Sequence, residues 1–198
     1  MDSRRREIKP VVRKFRLSEH DEVGQNLEYW LSRPPEERVA EVERLREVFF
    51  EPGDHVFERL LESFNEGQVE FVVIGAFALA FHGAPRCTHD LDVYVRPTRS
   101  NARRMMNALE RLGLASPDLC PTDFEEPDNI VQLGIEPNRI DLVTSMTGVS
   151  WEDVQAGKVA GLLGGVAVDY IGRNEFVTNK EAAGRPKDLA DVDAIRKR

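Results

Sequence analysis

The chain has little cysteine, little net positive charge and no long apolar run, and each shortage narrows what it does. Only Cys87 and Cys120 are present in 198 residues, with no CxxC and no metal-ligand spacing. That usage fits a reduced compartment rather than a disulfide scaffold. No stretch approaches the ~18 apolar residues of a membrane span, and no apolar segment follows the basic start as in a secretory leader. The expectation is a soluble, cytoplasmic protein with no membrane contact. Internal repeats are absent. Gly161–Gly165 (GLLGG) lacks a GxGxxG or GK[ST] pattern, so it is not a phosphate loop of those kinds. The net charge is −8, and the surface as a whole does not attract nucleic acid. Positive charge is gathered in the head instead, where Arg4, Arg5, Arg6, Lys9, Arg13, Lys14 and Arg16 outweigh Asp2 and Glu7. A solvated tail and a local basic patch are both consistent with that head.

What is there is enough for one core, with 41% apolar residues. Residues 26–50 contain an amphipathic helix of about fifteen residues. Ser32 is a candidate N-cap, Pro34 and Pro35 suit a first turn, and Val39, Val42, Leu45 and Phe49 recur at helical steps. Glu51-Pro52-Gly53 breaks the chain, so a head with its helix (1–52) is expected to precede the main body (53–198). A helix over 55–65, a buried strand over 69–74, a short helix over 76–82 and a strand over 90–96 follow. Thr98 or Ser100 caps the next helix, which ends at Gly113. Three prolines and five acids make 115–128 a loop. Residues 130–135 and 139–144 read as paired strands, 151–156 as a helix behind Ser150, and 159–163 with 166–170 as a hairpin about Gly164-Gly165. Helices over 173–183 and 187–197 close the chain. The order is that of an α/β or α+β domain with a small mixed sheet flanked by helices.

The chemistry gathers in residues 71–96. Alternation along a strand turns Asp90, Asp92 and Tyr94 one way and Leu91, Val93 and Val95 into the core. Two carboxylates roughly 7 Å apart at Cα repel unless a cation sits between them. A hard divalent ion resolves this, and Mg²⁺ also takes substrate phosphates. A solvated strand end is the plain alternative for such a DxD, and a metal-held nucleotide-sugar is another. Gly75, between a buried strand and a helix, leaves backbone open to phosphate oxygens. Asp141 sits between Ile140 and Leu142 in another short strand. If that strand adjoins the DxD strand, three acids converge as two-metal phosphoryl transfer requires.

Residues 72–96 with Asp141 resemble the polymerase-beta-type nucleotidyltransferase superfamily: an apolar strand, hG[GS], a short helix, Dx[DE] and a later third carboxylate. The run His82, Gly83, Pro85, Arg86, Thr88, Asp90 and Asp92 is similar to small bacterial nucleotidyltransferase-like proteins related to abortive-infection toxins. Residues 176–195 resemble the tail of that group. The resemblance spans about residues 56–197. It implies a nucleotidyltransferase fold and transfer of a nucleoside monophosphate from an NTP to an acceptor hydroxyl, on an RNA end or a protein, with Mg²⁺ or Mn²⁺. It implies Asp90 and Asp92 as metal ligands, Asp141 as the third ligand or the general base, and Gly75 and Ala76 as backbone for the phosphates. Lys180, Arg185, Lys187 and Asp188 match positions near the site. Lys180 and Lys187 are candidate phosphate partners or surface lysines. Arg86 clamps a phosphate or pairs with an acid, and Thr88 holds nucleotide or loop. His82 and His89 are acid/base candidates or, as is commoner for a loop or C-cap histidine, structural, and Cys87 lacks a base partner. Ala76 departs from the usual Gly or Ser, which keeps open a catalytically inactive binding module. Tyr29–Arg46 resembles short antitoxin-like proteins encoded beside such enzymes, which makes residues 26–50 a candidate fused partner; an ordinary packing or dimer helix fits the same pattern.

Overall fold

The computed structural model describes residues 22–49, 55–136 and 138–196. The basic head over 1–16, the break at 51–53 and Lys197 lie outside the described residues. The helices are α1 (Glu22–Leu31), α2 (Pro35–Phe49), α3 (Val56–Glu66), α4 (Gly75–Phe81), α5 (Arg99–Arg111), α6 (Trp151–Gly157), α7 (Arg173–Ala183) and α8 (Pro186–Ile195). The strands are β1 (Phe71–Val73), β2 (Asp90–Val95), β3 (Ile130–Leu133), β4 (Arg139–Val143), β5 (Val159–Leu163) and β6 (Val166–Tyr170). They form one six-stranded sheet in the order β3-β4-β2-β1-β6-β5. It is mixed: β2 runs parallel to β4 and β1 to β6, and the remaining neighbours are antiparallel. The chain is thus an α/β protein whose mixed sheet is flanked by helices. Among the described residues, no helix is long and apolar enough to cross a membrane.

Local rules place most of these elements. Thr98 caps α5 by accepting from Asn101 N, and Ser150 caps α6 by accepting from Asp153 N. Gly164 and Gly165 both take positive φ (56° and 87°), which turns β5 tightly into β6. All three residues of β1 are buried, as a strand covered on both faces requires.

Two readings are corrected. Ser32 does not cap α2. Its hydroxyl donates to Tyr29 O at 2.6 Å at the end of a separate ten-residue helix, α1. Pro35 pushes Pro34 out of the helical region, so α2 starts at Pro35 and Ser32 lies too far upstream to cap it. The first strand is also shorter than 69–74, because Gln68 takes positive φ and Ile74 already serves as the N-cap of α4.

Val39 and Val42 of α2 lie in the same buried cluster as Phe57, Leu60, Phe77 and Leu163. α2 packs on α4 and β5, α3 on α5, and α7 on α8. The sheet's central strands are thereby covered by packed helices, and the polar ends of β2 and β4 stay open to a cleft.

Candidate active site

The register of β2 against β4 brings the three acids together. Leu91 and Val93 pair in register with Ile140 and Leu142 as fully buried neighbours, which anchors the two strands. The same register sets Asp92 beside Asp141 and Asp90 beside Arg139. One carboxylate oxygen from each of Asp90, Asp92 and Asp141 lies within 4.8 Å of the others. The expected convergence is therefore present.

Gly75 sits directly beneath this cluster. Its φ is +63°, and a Cβ there would fall 1.9 Å from Asp92 Oδ2. Only glycine gives both the left-handed backbone and the room for the carboxylate. Asp92 is recessed in the cleft. Loss of solvation, then the neighbouring charges of Asp90 and Asp141, push its pKa from 3.8 to about 6, against the pull of Lys180 and Arg86. Ala76 is buried and, unlike Gly75, is not among the residues that line the cleft.

The cleft holds about 650 Å³. Gly75, Arg86, Thr88, Lys180 and Lys187 line it with the three acids. Arg86 pairs with an acid: Nε and Nη2 donate to the two oxygens of Asp191 at 3.0 and 3.1 Å. Thr88 Oγ1 donates to Asp90 Oδ1 at 2.6 Å, so it orients a member of the triad. Lys180 Nζ lies 2.6 Å from Asp188 Oδ1 and 3.4 Å from Asp191 Oδ2. Burial opposes ionisation of Asp188, but hydrogen bonds from Arg185 and Lys180 prevail and hold its pKa below the usual range. Lys187 is exposed at the cleft wall. His82 is structural, with Nε2 2.8 Å from Ile171 O and a pKa lowered by burial.

Sequence reasoning missed Arg139, Gln132 and Asp191. Arg139 donates from Nη2 to Asp90 Oδ2 at 2.5 Å and from Nε to Asp141 Oδ1 at 3.0 Å. Gln132 Nε2 lies 3.3 Å from both oxygens of Asp141. The signal for Arg139 was available, since it stands two residues before Asp141 on the same strand face. Asp191 reads as a helix-surface acid until α8 is packed.

Chemically, the site is a set of hard oxygen donors clustered beside a bare backbone turn. Three carboxylates with one held at a raised pKa fit a divalent cation such as Mg²⁺ or Mn²⁺. No family model matches the chain, and no curated protein matches it. Solved structures that align with it include a Thermotoga maritima protein described as a nucleotidyltransferase (13% identity, 71% of this chain and 88% of that one, TM-score 0.48). Another is ANT(2")-Ia in complex with adenylyl-2"-tobramycin (13% identity, 71% and 85%, TM-score 0.45). An antigenic nucleotidyltransferase-like protein from Paracoccidioides brasiliensis also aligns (16% identity, 71% and 72%, TM-score 0.43). These are likenesses of chain path at low identity, and the reading below rests on the residues of the site itself.

Proposed function

We propose that this protein is a metal-dependent nucleotidyltransferase that moves a nucleoside monophosphate from an NTP to an acceptor hydroxyl and releases pyrophosphate. More narrowly, the acceptor is an RNA end or a protein side chain, and the setting is a toxin–antitoxin or defence system. The observation that carries the chemistry is the convergence of Asp90, Asp92 and Asp141 within 4.8 Å above Gly75. The narrower setting rests on the resemblance of the HG-x-PR-x-T-x-D-L-D run and the tail.

Asp90, Asp92 and Asp141 would hold the metal, which when bound neutralises triphosphate charge and orients the reacting oxygens. Arg86, Lys180 and Lys187 stand along the cleft wall where the β- and γ-phosphates would lie, and they stabilise the charge that leaves with pyrophosphate. Gly75 gives the phosphates backbone without a side chain in the way. The acceptor oxygen bonds to the α-phosphorus, the bond from that phosphorus to the bridging oxygen of pyrophosphate breaks, and Asp141 takes the hydroxyl proton. Thr88 and Gln132 fix the rotamers of Asp90 and Asp141, so that little reorganisation is needed at the moment of transfer.

A second reading, a binding module that has kept the fold and lost the reaction, is favoured by one observation: Arg139 already pairs with Asp90 and Asp141. Incubation with each α-labelled NTP, Mg²⁺ or Mn²⁺, and total RNA or lysate protein separates the two. Label transferred by the intact protein and lost in Asp92→Ala supports the enzyme. No transfer with any of the NTPs supports the module.

A further inference from the structure

Arg139 grips the two outer acids of the triad at once. Nη2 reaches Asp90 Oδ2 at 2.5 Å, Nε reaches Asp141 Oδ1 at 3.0 Å, and Nη1 reaches Glu136 Oε1 at 2.8 Å. The other oxygens of the same acids are engaged as well, Asp90 Oδ1 by Thr88 and Asp141 Oδ2 by Gln132. Among the described residues, no side chain donates a hydrogen bond to the carboxylate of Asp92, so the triad's unsatisfied charge is concentrated there. A hard divalent ion needs about six oxygen ligands. Asp90 and Asp141 cannot give the same lone pairs to an ion and to the guanidinium, and the two cations repel at such range.

We infer that Arg139 is the resident counter-ion of the triad, and that loading of a divalent metal displaces its guanidinium from Asp90 and Asp141. This rests on the metal reading of the triad given above. It follows that Arg139 raises the metal concentration at which the site loads, because apparent affinity falls by the fraction of molecules whose guanidinium is already away. The displaced arm has a place to go. Glu136 lies on the exposed turn between β3 and β4, already pairs with Nη1, and lies 3.0 Å from His89 Nδ1. The guanidinium thus keeps a carboxylate partner in solvent while it gives up the two in the cleft. The pairing that favours an inactive module then becomes the resting state of a site that metal opens.

The test is Mn²⁺ titration, followed by calorimetry, into the chelator-stripped full chain and its Arg139→Gln variant, with phenylglyoxal labelling of Arg139 read by mass spectrometry. Arg139→Gln is expected to bind Mn²⁺ at least tenfold more tightly, and Mn²⁺ is expected to speed labelling of Arg139 in the parent protein several-fold. Arg139→Lys keeps the charge without the fork and is expected to fall between the two, which serves if the glutamine variant does not fold. Equal or weaker binding by Arg139→Gln, or by Arg139→Lys in its place, overturns the inference, as does labelling that metal leaves unchanged or slows. Those outcomes leave the metal reading standing, because the parent protein still binds. If neither protein binds Mn²⁺, the metal reading falls and the displacement falls with it.

Discussion

Asp92 is the residue on which the site's electrostatics turn. Its charged form is disfavoured by lost solvation and by Asp90 and Asp141, which puts its pKa at about 6 against 3.8 for a free side chain. The native state therefore holds this proton more tightly than the unfolded state does. Stability falls as pH rises from about 4 to about 6, and the full penalty is present above that window, at ~3 kcal/mol. Asp92→Asn removes the penalty. In chelator at pH 7.5 the variant is expected to melt higher than the parent by ~6 °C, at roughly 2 °C per kcal/mol for a chain of this size. The gap is expected to close as pH falls through 6 and to vanish below about 4. Calorimetric melts across pH check this, and a gap that does not change with pH would refute it. The same variant is expected to lose metal binding, so that a gain in stability accompanies a loss of function. Gly75 makes the complementary case by shape. A Cβ at this position meets Asp92 Oδ2 at 1.9 Å on a backbone with φ of +63°. Gly75→Ala is expected to displace the carboxylate and cut transfer at least a hundredfold in steady-state assays, a size typical of ångström-scale misplacement.

At the scale of elements, α7 and α8 form the cationic wall of the cleft through a ladder of alternating charge. Arg86 pairs with Asp191, Asp191 with Lys180, Lys180 with Asp188, and Asp188 with Arg185. Asp188 and Asp191 are almost fully buried and pair with the cations that line the cleft beside the triad. Asp191→Asn is expected to raise KM for the NTP about tenfold, or ~1.4 kcal/mol of binding, with a smaller change in kcat, because in the proposed reaction Arg86 and Lys180 would contact the phosphates in ground and transition state alike. Initial rates at varied NTP check the split; a fall in kcat at unchanged KM would show that the ladder serves the reacting centre instead. This ladder also marks what the sequence makes legible. The hairpin of β5 and β6 is readable to the residue, because Gly164 and Gly165 leave the chain one simple way to turn. Asp90 and Asp92 are readable because strand alternation is local. α1 is hidden because Leu27 is its one fully buried side chain among those described. Asp191 is hidden because its partners come from the loop before β2 and from α7, and the reach of Arg139 to Asp90 is hidden because pairing across β2 and β4 is set by the whole sheet.

At the scale of the molecule, the question is whether α2 is a separable partner or part of the body. Val39 and Val42 are 3% and 0% exposed within the common core. Their burial contributes ~3–6 kcal/mol together, a large share of the ~5–15 kcal/mol that holds a domain folded. α2 also reaches the site. Arg46 stacks on the Phe57 ring at 4.5 Å, and its Nη1 donates to Thr88 O at 3.3 Å. Thr88 in turn orients Asp90. Arg38 Nη1 donates to Phe81 O at the end of α4, 2.5 Å away. A partner that inhibits by covering the cleft would leave without unfolding what it covers; α2 carries core residues and a hydrogen bond to the loop before the triad. The full chain is therefore expected to unfold in one calorimetric transition, and residues 53–198 alone are expected to be marginally folded and less active than the full chain. Melting of the truncated protein by circular dichroism, with transfer of α-label measured alongside, checks both. A truncated protein with an unchanged melting temperature and raised transfer would establish residues 1–52 as an inhibitory segment held in cis.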